Sequence, residues 1–134
     1  MNAVLVDSNV LLDILTEDPT WEMWSEESLA RCADTGLLVI NPIIYAEVSV
    51  RFDRIEDLDE ALPPAVFQRV PLPWEAAFLA GKSFLAYRQR GGRKRSPLPD
   101  FYIGAHAAVA RVPLLTRDVA RFQTSFPTVQ LIAP

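Results

Sequence analysis

Four acidic side chains in this sequence of 134 residues could do chemistry together, although they come from four distant segments: Asp7, Glu47, Asp100 and Asp118. Asp7 follows the apolar run AVLV, where a buried carboxylate is costly unless a partner compensates its charge. Carboxylates that lie close together raise each other's pKa, whereas a divalent cation allows all of them to ionise. Oxygen ligands without His or Cys favour Mg²⁺ or Mn²⁺ over Zn²⁺.

A site of this kind suits the hydrolysis of phosphodiesters. One or two divalent ions lower the pKa of bound water and shield the phosphoryl oxygens as charge develops on them. The prediction holds only if the fold brings the four acids together. Because any α/β protein has some acids near its strand ends, the spacing of these residues does not decide the question alone.

The segments that carry the acids alternate between strand and helix patterns. Short apolar runs predict strands at 3–6, 37–40, 112–116 and 129–132, and a weaker one at 69–72, where Pro71 favours the sheet edge. Capping and proline signals predict helices at 18–36, 41–52, 74–92 and 99–111. We therefore expect an α/β protein with three α/β/α layers and a central, mostly parallel sheet of four to five short strands.

This topology predicts where the acids lie. Ligands collect at the carboxyl ends of parallel strands, and Asp7 and Asp118 follow two of these ends. Asp100 lies in the first turn of the helix that leads into the 112–116 strand. This helix runs antiparallel to the strand, so its N-terminus lies at the same edge. Glu47 is about one and a half turns into its own helix and can still reach this edge. The four carboxylates are therefore expected to converge.

Charge is unevenly distributed along the chain. The net charge is −4, but residues 1–60 carry 14 acidic and 3 basic side chains, whereas residues 61–134 carry 3 acidic and 10 basic ones. Five cations crowd into RQRGGRKR: Arg88, Arg90, Arg93, Lys94 and Arg95. A site that hydrolyses phosphodiesters through acidic side chains repels its polyanionic substrate, so this basic cluster is a candidate nucleic-acid-binding surface. The alternative is a solvated loop.

Four motifs, VDSNVLLDIL, NPIIYAEV, PLPDFYIGAHA and LLTRDVARF, resemble the signature blocks of PIN-domain ribonucleases in their order and spacing. Within that family, the chain is similar to the VapC-type toxins of type II toxin–antitoxin pairs. The resemblance implies a single PIN domain over residues 1–134 that acts as a metal-dependent endoribonuclease with Mg²⁺ or Mn²⁺. It places the family's catalytic, metal-binding quartet on Asp7, Glu47, Asp100 and Asp118.

The resemblance also implies supporting residues, products and partners. The family's small polar residue falls on Asn9, and its hydroxyl before the last acid falls on Thr116. Attack by metal-activated water in line with the leaving 3′ oxygen would give a 5′-phosphate and a 3′-hydroxyl. The implied setting is the bacterial cytoplasm, where a small antitoxin protein occupies the acidic groove and the toxin forms a homodimer.

Other residues have a structural interpretation. His106 is the only histidine and is expected to be a packed or surface residue. Asp13 and Glu17 are expected at the exposed surface, and Ser8 is expected to cap the helix that follows it. Cys32 is the only cysteine, which excludes an internal disulfide and fits a reducing cytoplasm. The apolar stretches are too short to span a membrane, so no membrane partner is expected.

Two other function classes differ from a ribonuclease in what they require. A phosphoacceptor receiver domain needs an adjacent acidic pair after its first strand and a lysine after its last, and VDSN and VQLIAP supply neither. A PIN-type nucleic-acid-binding module with weak or DNA-directed nuclease activity fits the same motifs. Only an assay of RNA cleavage separates this module from an endoribonuclease.

Overall fold

Strands and helices alternate along the chain. The computed structural model describes residues 2–94 and 98–134, and within them the chain begins with β1 (Asn2–Val6), α1 (Ser8–Leu15), α2 (Glu22–Thr35) and β2 (Gly36–Ile40). It continues through α3 (Pro42–Ser49), α4 (Ile55–Ala61), β3 (Phe67–Arg69) and α5 (Trp74–Gln89). The last elements are α6 (Pro99–Ala110), β4 (Leu114–Leu115), α7 (Val119–Gln123) and β5 (Leu131–Ile132).

The described strands form one five-stranded sheet in the order β3-β2-β1-β4-β5, and every pairing is parallel. Helices flank this sheet, which confirms the predicted three-layer α/β/α fold. β1 is the central strand, with Leu5 opposite Val39 of β2 and Leu114 of β4. Because all strands run the same way, the residues that follow β1 and β4 lie side by side at one edge of the sheet.

The three inner strands lie in the core of the protein. Leu5 and Val6 of β1, Ile40 of β2, and Leu114 and Leu115 of β4 are buried. Strands covered on both faces require such continuous apolar runs, and the sequence carries them. Asp7 and Asp118 follow the carboxyl ends of two of these strands, β1 and β4.

Element boundaries differ from the predicted ones where side chains compete with the backbone. The helix predicted from residue 18 begins at Glu22, because the Asp18 carboxylate accepts hydrogen bonds from the backbone N–H groups of Thr20 and Trp21 and holds a turn. The edge strand predicted at 69–72 lies at Phe67–Arg69 instead. The sequence pattern does not indicate α4 or α7, because seven and five residues are too few to show a helical period.

A buried polar pair joins α3 to α6. Asn41 caps α3 as predicted, with its Oδ1 accepting a hydrogen bond from the N–H of Ile44 at 2.9 Å. Its Nδ2 lies 2.9 Å from Nδ1 of His106, and burial lowers the pKa of this imidazole. His106 is therefore a packed residue, as predicted.

Two further expectations concern the single cysteine and the possibility of a membrane span. Cys32 is a buried, free thiol in α2, where it packs as a small core residue. Among the described residues, none of the helices combines the length and the apolar character that a membrane span requires.

Candidate active site

Asp7 is a buried acid at the carboxyl edge of the sheet, with 1% of its surface exposed. Its backbone N–H donates to the carbonyl of Leu115 at 2.9 Å, which fixes the end of β1 against β4. Its Oδ2 accepts a hydrogen bond from Oγ1 of Thr116 at 2.8 Å, and its Oδ1 lies 3.4 Å from Oγ of Ser8. Within the described residues no basic side chain pairs with it, so this carboxylate lacks the counter-charge that burial demands.

Thr116 is the centre of a hydrogen-bond network at the end of β4. Besides donating to Asp7, its Oγ1 accepts from Nδ2 of Asn9 at 3.2 Å and from the backbone N–H of Asp118 at 3.1 Å. Oδ1 of Asn9 also lies 3.4 Å from the backbone N–H of Arg117. Asn9 and Thr116, the two residues predicted to support the site, thus hold Asp7 and Asp118 in a fixed relation.

The hydroxyl of Ser8 links Glu47 to Asp7. Oγ of Ser8 donates to Oε1 of Glu47 at 2.7 Å, across 39 positions of sequence. The prediction that Ser8 caps α1 is wrong, because α1 has no side-chain cap hydrogen bond and this hydroxyl points to Glu47 instead. The first two predicted acids therefore lie on either side of one serine.

Asp100 and Asp118 share a guanidinium group. Nε of Arg121 lies 2.7 Å from Oδ2 of Asp118, and its Nη1 lies 3.6 Å from Oδ1 of Asp100. Both acids are partly buried, and Arg121 itself is half exposed on α7. Arg121 thus joins two predicted acids that come from different elements.

The electrostatics of the site is dominated by uncompensated negative charge. The pKa of Asp7 is raised from 3.8 to about 6, mainly by burial and also by the charges of Asp100 and Glu47, against the hydrogen bond from Thr116. Burial also raises the pKa of Glu47 and of Asp100, whereas the positive charge of Arg121 lowers both. Acids from different segments therefore act on one another, and a cation at this edge would relieve their repulsion.

The donors at this edge fit a hard divalent ion, because all of them are oxygen atoms and Asp7 is a buried acid without a cationic partner. As the side chains stand, no three Asp, Glu, His or Cys residues in the described parts of the chain are arranged to hold one ion. Arg121 contacts Asp100 and Asp118, so an ion would share these two acids with its guanidinium. The ligand set Asp7, Glu47, Asp100 and Asp118 stays a prediction.

The structure describes four of the five cations in the predicted basic cluster. Arg90 lies in a cavity that also contains Asp100, which places it near the acids. Nη1 of Arg88 donates to the carbonyl of Lys94 at 2.6 Å, and Arg93 is exposed. Arg95 lies outside the described residues. The role of these five cations in RNA binding stays a prediction.

The buried Asp13 forms an ion pair with Arg117, and neither residue is among the predicted site residues. Asp13 is 2% exposed, so the prediction that it is a surface acid is wrong. Its Oδ2 accepts hydrogen bonds from Oγ of Ser25 at 2.9 Å and from Nε of Arg117 at 2.8 Å. The available signal is its position three residues after the buried Val10, on the same helix face. Arg121 also has a local signal, since it follows Asp118 at the i, i+3 spacing of helical ion pairs.

Thr116→Val is expected to raise the pKa of Asp7 further, because it removes the hydrogen bond that lowers this pKa. Hydrogen bonds to charged groups contribute about 1.5–3 kcal/mol, so the shift should be about one to two units. ¹³C NMR titration of the carboxyl group in metal-free protein measures it. Thr116→Ser keeps the hydroxyl and should titrate like the wild type. An unshifted Asp7 in the Thr116→Val protein would contradict the role given to this hydroxyl.

Family comparison agrees with the geometry of this edge. The family profile described as PIN domain matches residues 4–124, a range that contains all four acids. The chain belongs to the PIN domain family. PIN domains are generally nucleases and typically use divalent metals. No curated protein matches the sequence of this chain significantly.

Solved structures with the same fold match this PIN domain along almost its full length. VapBC2 from Rickettsia felis, bound to a DNA fragment from its promoter, has a TM-score of 0.75 over 98% of both chains at 17% identity. VapBC-1 from nontypeable Haemophilus influenzae has a TM-score of 0.74 over 98% of this chain and 97% of its own, at 18% identity. A toxin–antitoxin complex from Klebsiella pneumoniae has a TM-score of 0.67 over 94% of both chains at 23% identity.

Proposed function

We propose that this PIN domain is a metal-dependent endoribonuclease and the toxin of a toxin–antitoxin pair. The observation that carries the proposal is the buried Asp7 carboxylate, which has hydroxyl neighbours, no basic partner among the described residues, and further acids acting on it. The likeness in fold to chains of VapBC complexes supports the assignment as a toxin.

The four acids have distinct tasks in this proposal. Asp7, Asp100 and Asp118 would hold Mg²⁺ or Mn²⁺, and Glu47 would complete the site as a ligand or by orienting water. When bound, such an ion would supply positive charge to offset that of the phosphate and would lower the pKa of the attacking water. Ser8 keeps Glu47 beside Asp7, and Thr116 keeps Oδ2 of Asp7 in place. Hydrolysis forms a bond from the water oxygen to phosphorus and breaks the bond to the 3′ oxygen, leaving a 5′-phosphate and a 3′-hydroxyl.

Total RNA treated with the purified protein should be cut in the presence of Mn²⁺ and stay intact when EDTA exceeds the metal. Restoring Mn²⁺ to the chelated sample should restore cleavage. Single-stranded DNA assayed in parallel tests the alternative function, a PIN-type nucleic-acid-binding module with weak or DNA-directed activity. Binding of RNA without cleavage, or preferential cutting of DNA, would favour that module. Cleavage that survives complete chelation would contradict metal dependence.

Replacement of Arg93, Lys94 and Arg95 by Gln is expected to weaken the binding of single-stranded RNA. Each lost phosphate contact flattens the log–log salt dependence of affinity by about 0.7, so the slope should change by about 2. The cleavage pattern should change little, because phosphate contacts do not read bases. A matched control replaces Arg51, Arg54 and Arg111, which lie elsewhere on the chain, by Gln. Equal slopes for both triple variants would make the basic cluster a solvated loop.

An apolar groove supports a small antitoxin as a partner. Leu11, Ile14 and Leu15 of α1, Leu29 of α2, and Val66 line a cavity of about 340 Å³. α2 also carries a set of acids at its first turns: Glu22, Glu26 and Glu27. An antitoxin segment with apolar side chains would complement this groove, and basic side chains of the same partner would complement the acids of α2.

A separate apolar stripe on α5 supports the proposed homodimer. Trp74 is 89% exposed, and Phe78 and Leu85 on the same helix are also exposed. Large apolar side chains grouped in this way mark interaction surfaces more often than isolated ones do. A second copy of this chain is the partner that we assign to the stripe.

A further inference from the structure

A cavity of about 350 Å³ opens beside Asp100, where the end of α5, the start of α6 and α7 meet. We call it the flanking cavity, and its polar and aromatic lining comprises Tyr87, Arg90, Asp100, Arg121, Thr124 and Ser125. We infer that the flanking cavity binds one nucleotide of single-stranded RNA, next to the bond that is cut. This inference rests on the proposed function and names a binding site for its substrate.

The flanking cavity is equipped for a phosphate group. Arg90 and Arg121 both line it, and guanidinium groups match phosphate oxygens in geometry and charge. Arg121 is engaged by Asp100 and Asp118, whereas Nη2 of Arg90 lies 3.5 Å from Oγ of Ser125 and forms no ion pair within the described chain. Arg90 therefore has positive charge available for an incoming anion.

The walls of the flanking cavity suit the rest of a nucleotide. The half-buried ring of Tyr87 stacks with Phe84 at 6.1 Å between centroids and meets Phe101 edge-on at 5.6 Å, so it is held firmly. The part of this ring that lines the flanking cavity offers a fixed wall against which a base or ribose can pack. The hydroxyls of Thr124 and Ser125 can exchange hydrogen bonds with ribose hydroxyls or base edges.

Arg121 shows where the flanking cavity lies relative to the acids. Its guanidinium contacts Asp100 and Asp118 and also lines the flanking cavity, so the two sites share a wall. An RNA strand with its scissile phosphate at the acids passes Arg121 directly into the cavity. The occupant is therefore the neighbouring nucleotide, not a distant part of the strand.

Two variants probe the flanking cavity by different means. Arg90→Gln removes its available charge, and Ser125→Leu fills it without a change in charge. Each is combined with Asp7→Asn to prevent cleavage, and binding of a fluorescent single-stranded RNA of mixed sequence is measured across a salt series with Mg²⁺. Arg90→Gln should weaken binding by about threefold or more and flatten the salt slope by about 0.7. Ser125→Leu should weaken binding without a change in slope. Arg51→Gln, the matched charge control at the far end of α3, should bind like the parent.

Cleavage of abasic substrates locates the nucleotide. In the otherwise wild-type protein, removal of the base next to the cut should lower kcat/KM, and in the Ser125→Leu protein the same removal should have no further effect. If both cavity variants bind RNA like Arg51→Gln while the wild type cleaves RNA, the flanking cavity is not a nucleotide site and the proposed function stands. If the wild type neither binds nor cleaves RNA, the proposed function fails, and the inference fails with it.

Discussion

Asp7→Asn should abolish RNA cleavage while the fold stays intact. The side chain keeps its size and one oxygen that can accept the hydrogen bond from Thr116, so packing at the end of β1 should be retained. It loses the charge that would hold the metal ion, and the several kcal/mol that such an ion supplies correspond to a rate loss of about 10³-fold or more. Single-turnover cleavage at saturating Mn²⁺ measures the loss, and circular dichroism checks the fold.

The same substitution should stabilise the metal-free protein at neutral pH. The folded-state pKa of Asp7 is raised from 3.8 to about 6, so its contribution to stability is present below about pH 4 and is lost as the pH rises through about 6. A shift of about two units corresponds to about 3 kcal/mol. In EDTA, the Tm of Asp7→Asn minus that of the wild type should therefore increase from pH 4 to pH 7.

Metal addition should reverse this order of stability. Mn²⁺ should raise the Tm of the wild type in proportion to the logarithm of its concentration, because an ion that binds only the native state stabilises it, and Asp7→Asn should respond weakly. Asp34→Asn, an exposed acid on α2, is the matched control and should behave like the wild type. Metal-dependent cleavage by pure Asp7→Asn, or a wild-type Tm that never moves with Mn²⁺, would overturn the assignment of Asp7.

Arg117→Gln should lower the free energy of unfolding by about 2 kcal/mol. Asp13 is buried, and removal of its cationic partner leaves a charge that only Ser25 stabilises. Breaking a buried pair in this way costs about 3–5 kcal/mol, and the partial exposure of Arg117 reduces the figure. Urea denaturation of metal-free protein measures the effect.

A second substitution tests the physical cause of this loss. Asp13→Asn removes the stranded charge, so the double variant Asp13→Asn/Arg117→Gln should be more stable than Arg117→Gln alone. Arg54→Gln breaks an ion pair with Glu56 whose side chains are 68% and 65% exposed, and it should change stability by less than about 0.5 kcal/mol. A double variant less stable than Arg117→Gln would show that the charge of Asp13 is not the problem.

The placement of Asp7 beside Thr116 could be predicted because it follows from topology. Parallel strands share a carboxyl edge, and buried strands can be recognised in the sequence as continuous apolar runs such as AVLV and LLVI. Once β1 and β4 are neighbours, the residues that follow them must meet, as the hydrogen bond from the N–H of Asp7 to the carbonyl of Leu115 shows. The shared edge is a property of the whole pattern, so small errors in element boundaries do not alter it.

Contacts that depend on side-chain direction could not be predicted in the same way. Ser8 has the sequence position of a cap, yet its hydroxyl reaches Glu47 because α3 passes beside α1 in the folded protein. Asp13 is of a residue type usually found at the surface, yet it is buried against α2 and paired with Arg117, which is 104 positions away in the sequence. Both outcomes are decided by helix packing, which leaves only a weak trace in local sequence.

The paired amide and imidazole between α3 and α6 determine how a pH profile of this protein can be read. Oδ1 of Asn41 already accepts from Ile44, so its Nδ2 faces His106, and Nδ1 of the ring must be the acceptor. The single histidine is thus a neutral Nε2–H tautomer whose pKa burial lowers. Imidazole is the usual explanation for a rate that changes between pH 5 and 7, and here burial disfavours its charged form. Asp7, whose pKa is raised to about 6, is therefore the first group to examine if metal binding or cleavage shows an inflection near pH 6.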